Sequence, residues 1–170
     1  MSTTTKSKRA TTTLERTYEA TLDEVWPLWT TKEGIESWWG PEGFAVTVQE
    51  LELRPGGKLL YTMTAVAEPQ VAFMKRANMP LATHARITIL SVEAPQRLVY
   101  DHHADFIPGV EPYATETIVE LEARPEGQVH MRLTLEAMHD ATWTERATMG
   151  WKSEIEKLVA ALAARRRHSP

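Results

Sequence analysis

No cysteine occurs among the 170 residues. That absence excludes disulfides, thiolate nucleophiles and cysteine-ligated metals. No uninterrupted apolar run approaches the ~20 residues that a membrane-spanning helix needs. The opening stretch "MSTTTKSKRATTT" lacks the apolar core of a secretion signal and reads as a solvated tail. Positive charge is not in surplus either: 19 Lys and Arg stand against 23 Asp and Glu, a formal net charge of −4. The basic residues are dispersed rather than interleaved with aromatics, so no nucleic-acid or anionic-membrane partner is expected. Missing too are a G-x-S-x-G nucleophile elbow, a glycine-rich phosphate loop and an H-E-x-x-H metal motif. No cofactor and no metal is therefore expected. What is present is ordinary globular composition, 42% hydrophobic and 25% charged. The expectation is a cytoplasmic protein with one domain over residues 12–165, between short tails at 1–11 and 166–170.

The pattern along the chain is mostly of period two. "TTLERTY" alternates as a strand. "ATLDEVWPLWT" then reads as a short helix, with Thr21 as N-cap, Glu24 at capping-box spacing, and Pro27 demanding that the helix be brief. A second short helix, "TKEGIESWW", has to stop at Gly40-Pro41. "FAVTVQELEL" and "KLLYTMTAV" flank the turn "RPGG" as a hairpin. In the first of them the apolar parity switches from Phe44, Val46 and Val48 to Leu51 and Leu53, which predicts a bulge near Gln49-Glu50. "THARITILSV", "RLVYDHHADF", "YATETIVELEA" and "VHMRLTLEAM" are further strands. With no long helices between them, the sheet should be antiparallel. The last segment changes period. Trp143, Ala147, Gly150, Trp151, Ile155, Leu158 and Leu162 mark one face of a long helix capped by Asp140, and the arginines 165–167 sit at its negative end. No internal repeat is visible. A bent sheet wrapped around one amphipathic helix buries both apolar faces, and leaves a pocket where the wrap stays open.

Alternation also sorts the candidate site residues. Leu98, Tyr100, His102, Ala104 and Phe106 share the inward face of their strand, while Asp101, His103 and Asp105 face out and are too spread along it to converge on a metal. His102 reads either as a satisfied core histidine or as a polar anchor, and a base, in an apolar chamber. Tyr113, Thr115 and Thr117 point inward from the next strand, and Met131 and Leu133 from the one after. In "KLLYTMTAV" the face bearing Tyr61 and Met63 is the favoured lining. These residues describe either a hydroxyl-dotted pocket or a filled core. In "EPQVAFMKRANMPLA", Val71, Phe73, Met74, Ala77 and Met79 are too apolar for a solvent-crossing loop. They imply a short helix over the pocket entrance, or one packed on the sheet edge. Gly150, in mid-helix beside Trp151, implies close approach to a strand or room for a ligand.

The segments "RTYEATLDEVWPLWT", "SWWGPEGF", "LRPGGKL", "APQRLVY" and "GWKSEIEKLVAAL", in that order, resemble the AHSA1-like (activator of Hsp90 ATPase homologue) family of the START-like, Bet v 1-like superfamily. The resemblance spans roughly residues 12–163. It implies an α+β helix-grip fold: a curved antiparallel sheet of about seven strands around a long C-terminal helix, with two short helices after the first strand. In that pattern one of Trp38 and Trp39 packs into the core and the other stands at the mouth of the groove, leaving open which is which. Three readings follow from the inward residues, the superfamily's range of carriers, receptors and cyclases, and the family's name. One is a module binding a small hydrophobic or aromatic molecule in the cavity. Another is a cyclase or hydrolase using His102 as base, with Tyr61, Tyr100 and Tyr113 around it. The last is contact with Hsp90, against which stands the absence of the activator's other half. Monomer and homodimer are both compatible with the sequence.

Overall fold

A computed structural model describes residues 9–105, 107 and 109–167; Phe106, Pro108 and the outer parts of both tails lie outside the described residues. The expected strands form and join one antiparallel seven-stranded sheet. Strand β1 (Thr11–Tyr18) is followed by helices α1 (Leu22–Thr30) and α2 (Lys32–Glu36), then by β2 (Phe44–Leu51), β3 (Lys58–Ala65) and helix α3 (Glu68–Arg76). Strands β4 (Ala82–Glu93), β5 (Arg97–Ala104), β6 (Tyr113–Arg124) and β7 (Gln128–Glu136) precede the long helix α4 (Ala141–Arg167). The sheet order is β1-β7-β6-β5-β4-β3-β2, so the chain's first strand closes against its last. Register breaks between Val48 and Glu50, as the parity switch predicted, and again between Ile89 and Ser91. Each extra residue bends its strand and adds to the sheet's curvature.

Local chemistry sets the helix ends. The Glu24 carboxylate accepts the Thr21 N–H at 3.1 Å and closes the start of α1. Pro27 lies inside this nine-residue helix, whose end comes directly after it: the Thr31 N–H and hydroxyl both donate to the Pro27 carbonyl. Helix α2 ends at Glu36, earlier than the sequence pattern implied, and the N–H groups of Trp38 and Trp39 both turn back to the Ile35 carbonyl. Gly40 then adopts φ +87°, a left-handed conformation that a side chain disfavours, and the chain swings into β2. Asp140 Oδ1 accepts the Trp143 N–H at 2.8 Å and caps α4.

The core is concentrated toward one end of the grip. There Leu98, Val119, Leu121, Met131 and Leu133 of the sheet meet Val25 and Leu28 of α1 and Leu158 and Leu162 of α4. Helix α4 comes closest to β1 and α1. Its second half carries the buried residues Ile155, Leu158, Ala161 and Leu162, whereas Trp143 through Trp151 include no fully buried side chain.

Helix α3 forms, but it buries only Met74 of its apolar set. Phe73 is 58% exposed, and Val66 and Met79 beside the helix are also exposed. Hydrogen bonds fix this placement. The Val66 and Ala67 N–H groups donate to the Gly43 carbonyl, and Gln70 Nε2 donates to the Glu42 carbonyl, so α3 is tied to the loop before β2.

The pair of tryptophans now separates into two roles. Trp38 is wholly buried and its Nε1–H donates to the Leu28 carbonyl at 2.7 Å, locking α1 to the turn after α2. Truncating it removes a large core side chain and leaves a buried carbonyl without its donor. Trp38→Ala is expected to lower the unfolding free energy by about 3–5 kcal/mol in urea titrations. A loss below about 1 kcal/mol would show that this indole does not hold the helix pair.

Candidate functional site

Between the sheet and the first half of α4 lies a cavity of about 300 Å³. The strands deliver its walls by the alternation described above. Tyr61 and Met63 reach it from β3, Tyr100 and His102 from β5, and Thr115 and Thr117 from β6. Register places these groups side by side: Thr117 is opposite Tyr100, and Thr115 is opposite His102. Trp39, Trp151 and Gly150 complete the helical side. The ring centroids of Trp39 and Tyr61 are 5.4 Å apart, edge to face, and Trp39 stands 6.3 Å from both Tyr100 and Trp151.

Six residues expected at the site lie elsewhere. Trp38 is core, as described. Met131 and Leu133 do face inward, but at the filled end of the grip, where each is fully buried. Phe73 and Met74 belong to α3, which is held by the 42–43 loop and does not reach the cavity. Tyr113 sits at the open end of β6, where its hydroxyl bonds His139 Nδ1 at 2.8 Å and its ring carries the Arg9 guanidinium at 4.6 Å. The outward cluster of "DHHADF" is likewise structural in its contacts: His103 Nε2 bonds the Thr88 hydroxyl and Asp105 pairs with Arg86. Among the described residues no three His, Asp or Glu side chains converge as metal ligands.

Helix periodicity alone did not single out Glu154. It lies on α4 one turn beyond Gly150 and Trp151 and one turn before Leu158, on the helix's apolar face, and its carboxyl lines the cavity. Its Oε1 accepts the Gly40 N–H at 2.6 Å, and Lys157 Nζ donates to the Gly40 carbonyl at 2.7 Å. Two neighbouring turns of α4 thereby grasp the turn that carries Trp39. The sequence signal was the i, i+3 pair of opposite charges on an otherwise apolar face.

Burial governs the electrostatics here. It pushes the Glu154 carboxyl up to about 7, while the Gly40 N–H and the Lys157 ammonium pull the other way. It pulls the His102 imidazole down to about 4, helped by His103, so the ring is neutral at physiological pH. The Tyr61 phenol is raised by burial first and by Glu154 second. Tyr100 is raised by burial and then by Tyr61, with Thr117 beside it opposing. Among the described residues no aligned hydrogen bond reaches the Tyr100 hydroxyl, His102 Nε2 or Trp39 Nε1, all of which are buried. Tyr61, His102 and Glu154 are deep enough to lose their hydration, yet each keeps some accessible surface, and all three line the cavity. The chamber is thus largely apolar in its walls and carries a few neutral or weakly acidic polar groups together with the charged Glu136 and Arg146.

A sequence model of the family described as "Activator of Hsp90 ATPase homolog 1-like protein" matches residues 19–163. No curated protein matches the sequence significantly. Solved structures do. A protein from Chromobacterium violaceum is 22% identical with a TM-score of 0.74, the match covering 89% of this chain and 96% of that one. A protein from Arthrobacter aurescens is 25% identical with a TM-score of 0.72, covering 91% and 86% respectively. The AHSA1-like protein of Aeromonas hydrophila is 20% identical with a TM-score of 0.71, covering 91% and 93%. These likenesses establish the helix-grip fold.

The two displaced titrations oppose one another in stability. Glu154 is harder to ionise when folded, so its contribution is full below about pH 4.5 and is lost as pH rises toward about 7. His102 is harder to protonate when folded, so its contribution is full above about pH 6.5 and is lost as pH falls toward about 4. Each spans up to about 3 kcal/mol, and over the shared window they largely cancel. Glu154→Gln is expected to remove one slope. Relative to the parent chain, its unfolding free energy in urea should climb by about 3 kcal/mol between pH 4.5 and 7. A difference that stays flat with pH would show that Glu154 is not buried as described.

Proposed function

The chain belongs to the Activator of Hsp90 ATPase homolog 1-like family, and we propose that it binds a small hydrophobic or aromatic molecule in the cavity between the curved sheet and α4. The observation that carries this reading is at Gly150. A Cβ built there meets nothing within 4 Å. Glycine in a helix interior costs about 0.5–1 kcal/mol relative to alanine. Close backbone approach does not explain it, because the space beside it is open. Gly150, Ala147, Ala104 and Thr115 together keep short side chains at the end of the grip where longer ones would fill the gap.

Other features agree with the reading. A volume of about 300 Å³ lies within the range of small-molecule pockets. The walls combine indole and phenol rings with methionine and threonine methyls, which suits an aromatic guest. Isolated hydroxyls and the neutral His102 offer a few points to orient it.

The test uses naphthol as a two-ring probe, with indole emission as the signal, since Trp39, Trp143 and Trp151 line the cavity. Gly150→Ala should bind naphthol as the parent does and gain about 0.5–1 kcal/mol from helix propensity. Gly150→Leu should stay folded and bind at least about tenfold more weakly, because its side chain occupies the guest's space. Equal binding by Gly150→Leu and the parent would place the ligand elsewhere.

A further inference from the structure

Glu154 supplies a preference that an apolar pocket alone does not have. Resting on the cavity reading above, we propose that the preferred guest carries a protonated amine, with the Glu154 carboxylate as its counter-ion and the rings of Trp39, Tyr61 and Trp151 against its carbon skeleton.

The geometry points this way on three counts. First, the Glu154 carboxyl is only partly engaged. Oε1 takes the Gly40 N–H, no hydrogen bond within the described residues engages Oε2, and the half-buried side chain lines the cavity. Second, among the described residues no salt bridge to Glu154 forms, and Lys157 acts on it only through its field. Lys157, its nearest basic neighbour, donates to the Gly40 carbonyl at 2.7 Å and the Trp39 carbonyl at 3.5 Å. From the sheet, Tyr61 on β3 and Tyr100 on β5 feel the Glu154 charge, and both of them, like His102 in the same cavity wall, are neutral at pH 7. Of the other charged wall residues, Arg146 lies over the Trp143 ring at 5.5 Å, and Glu136 of β7 is 3.6 Å from Arg9. Third, the walls near Glu154 are aromatic. Ring faces are electron-rich and attract a desolvated ammonium, whereas they and the carboxylate would both repel an anion.

The amine would also set the charge of its own site. With Glu154 titrating near 7 in the empty protein, part of the population is protonated at neutral pH. An alkylammonium remains charged through that range, as lysine does. Affinity for an amine should therefore rise about tenfold from pH 6 to pH 8 as the carboxylate form becomes the major one, while affinity for a neutral analogue should not change.

Titration calorimetry with naphthylethylamine, naphthylethanol and naphthylacetate, at pH 6 and pH 8, separates the possibilities. The amine is expected to bind at least about tenfold tighter than the alcohol at pH 8, with the carboxylate weakest. Glu154→Gln keeps an acceptor for the Gly40 N–H, as an unchanged melting transition at low pH would show. In that variant the amine should fall to the level of the alcohol and lose its pH dependence. If the alcohol binds but the parent chain shows no preference for the amine, or keeps it in Glu154→Gln, the amine inference is overturned while the cavity reading stands. If none of the three binds, both fall.

Discussion

Trp29 of α1, Trp38 and Trp39 of the following turn, and Trp151 of α4 pack as one cluster, with ring centroids from 4.8 Å to 6.5 Å apart. Trp151 stacks on Trp29 while Trp38 meets Trp29 edge-on. Such pairs contribute about 0.5–1.5 kcal/mol each beyond the area they bury, and here they join α1 and the turn after α2 to the sequence-distant α4. Polar contacts fix the same junction from both sides: Trp38 to the Leu28 carbonyl, and Glu154 and Lys157 to Gly40. One further bond, from the Tyr18 hydroxyl to the Ile155 carbonyl, ties α4 to β1 at the same level.

Because α4 is pinned at this level, its two halves have different surroundings. Beyond the junction, Leu158 and Leu162 descend onto the leucines and valines of the sheet and the core closes. Before it, the helix stands away from the strands and the same alternation delivers Thr115, Thr117, His102 and Ala104 to an open space. Along β6 the inward series runs from Thr115 and Thr117 to Val119 and Leu121, so one strand passes from cavity wall to core within a few residues. The cavity follows from where the helix is held and which residues are short, with curvature supplied by the two bulges. The same junction places a desolvated carboxyl beside aromatic rings, which gives the apolar chamber an electrostatic preference.

Much of this was legible in the residues. Period-two alternation located the strands, the parity switch after Val48 located a bulge, and Asp140 announced the start of α4. Inward parity also brought Tyr61, Met63, Tyr100, His102, Thr115 and Thr117 to one chamber. What alternation does not carry is depth along the strand. Met131 and Leu133 obey the same parity as Leu135, yet they lie beneath the filled half of the grip while Leu135 borders the cavity. Nor does apolar composition reveal which way a short helix turns. Helix α3 is oriented by backbone hydrogen bonds to Gly43, and these leave Phe73 in solvent. Glu154 was hidden for a related reason, since its partner is the backbone of Gly40, and side-chain patterns do not show backbone partners.

The central claim is that a guest occupies the space between β5, β6 and the first half of α4. The six tryptophans allow that to be read directly. Each contributes one indole N–H resonance to a nitrogen–proton correlation spectrum, and naphthylethanol can be titrated against all six at once. The resonances of Trp39, Trp143 and Trp151, which border the cavity, are expected to shift on binding. That of Trp26, which packs against the core outside it, should stay in place. Shifts confined to Trp26 or to the backbone of α3 around Phe73, with the three cavity indoles unmoved, would contradict the claim.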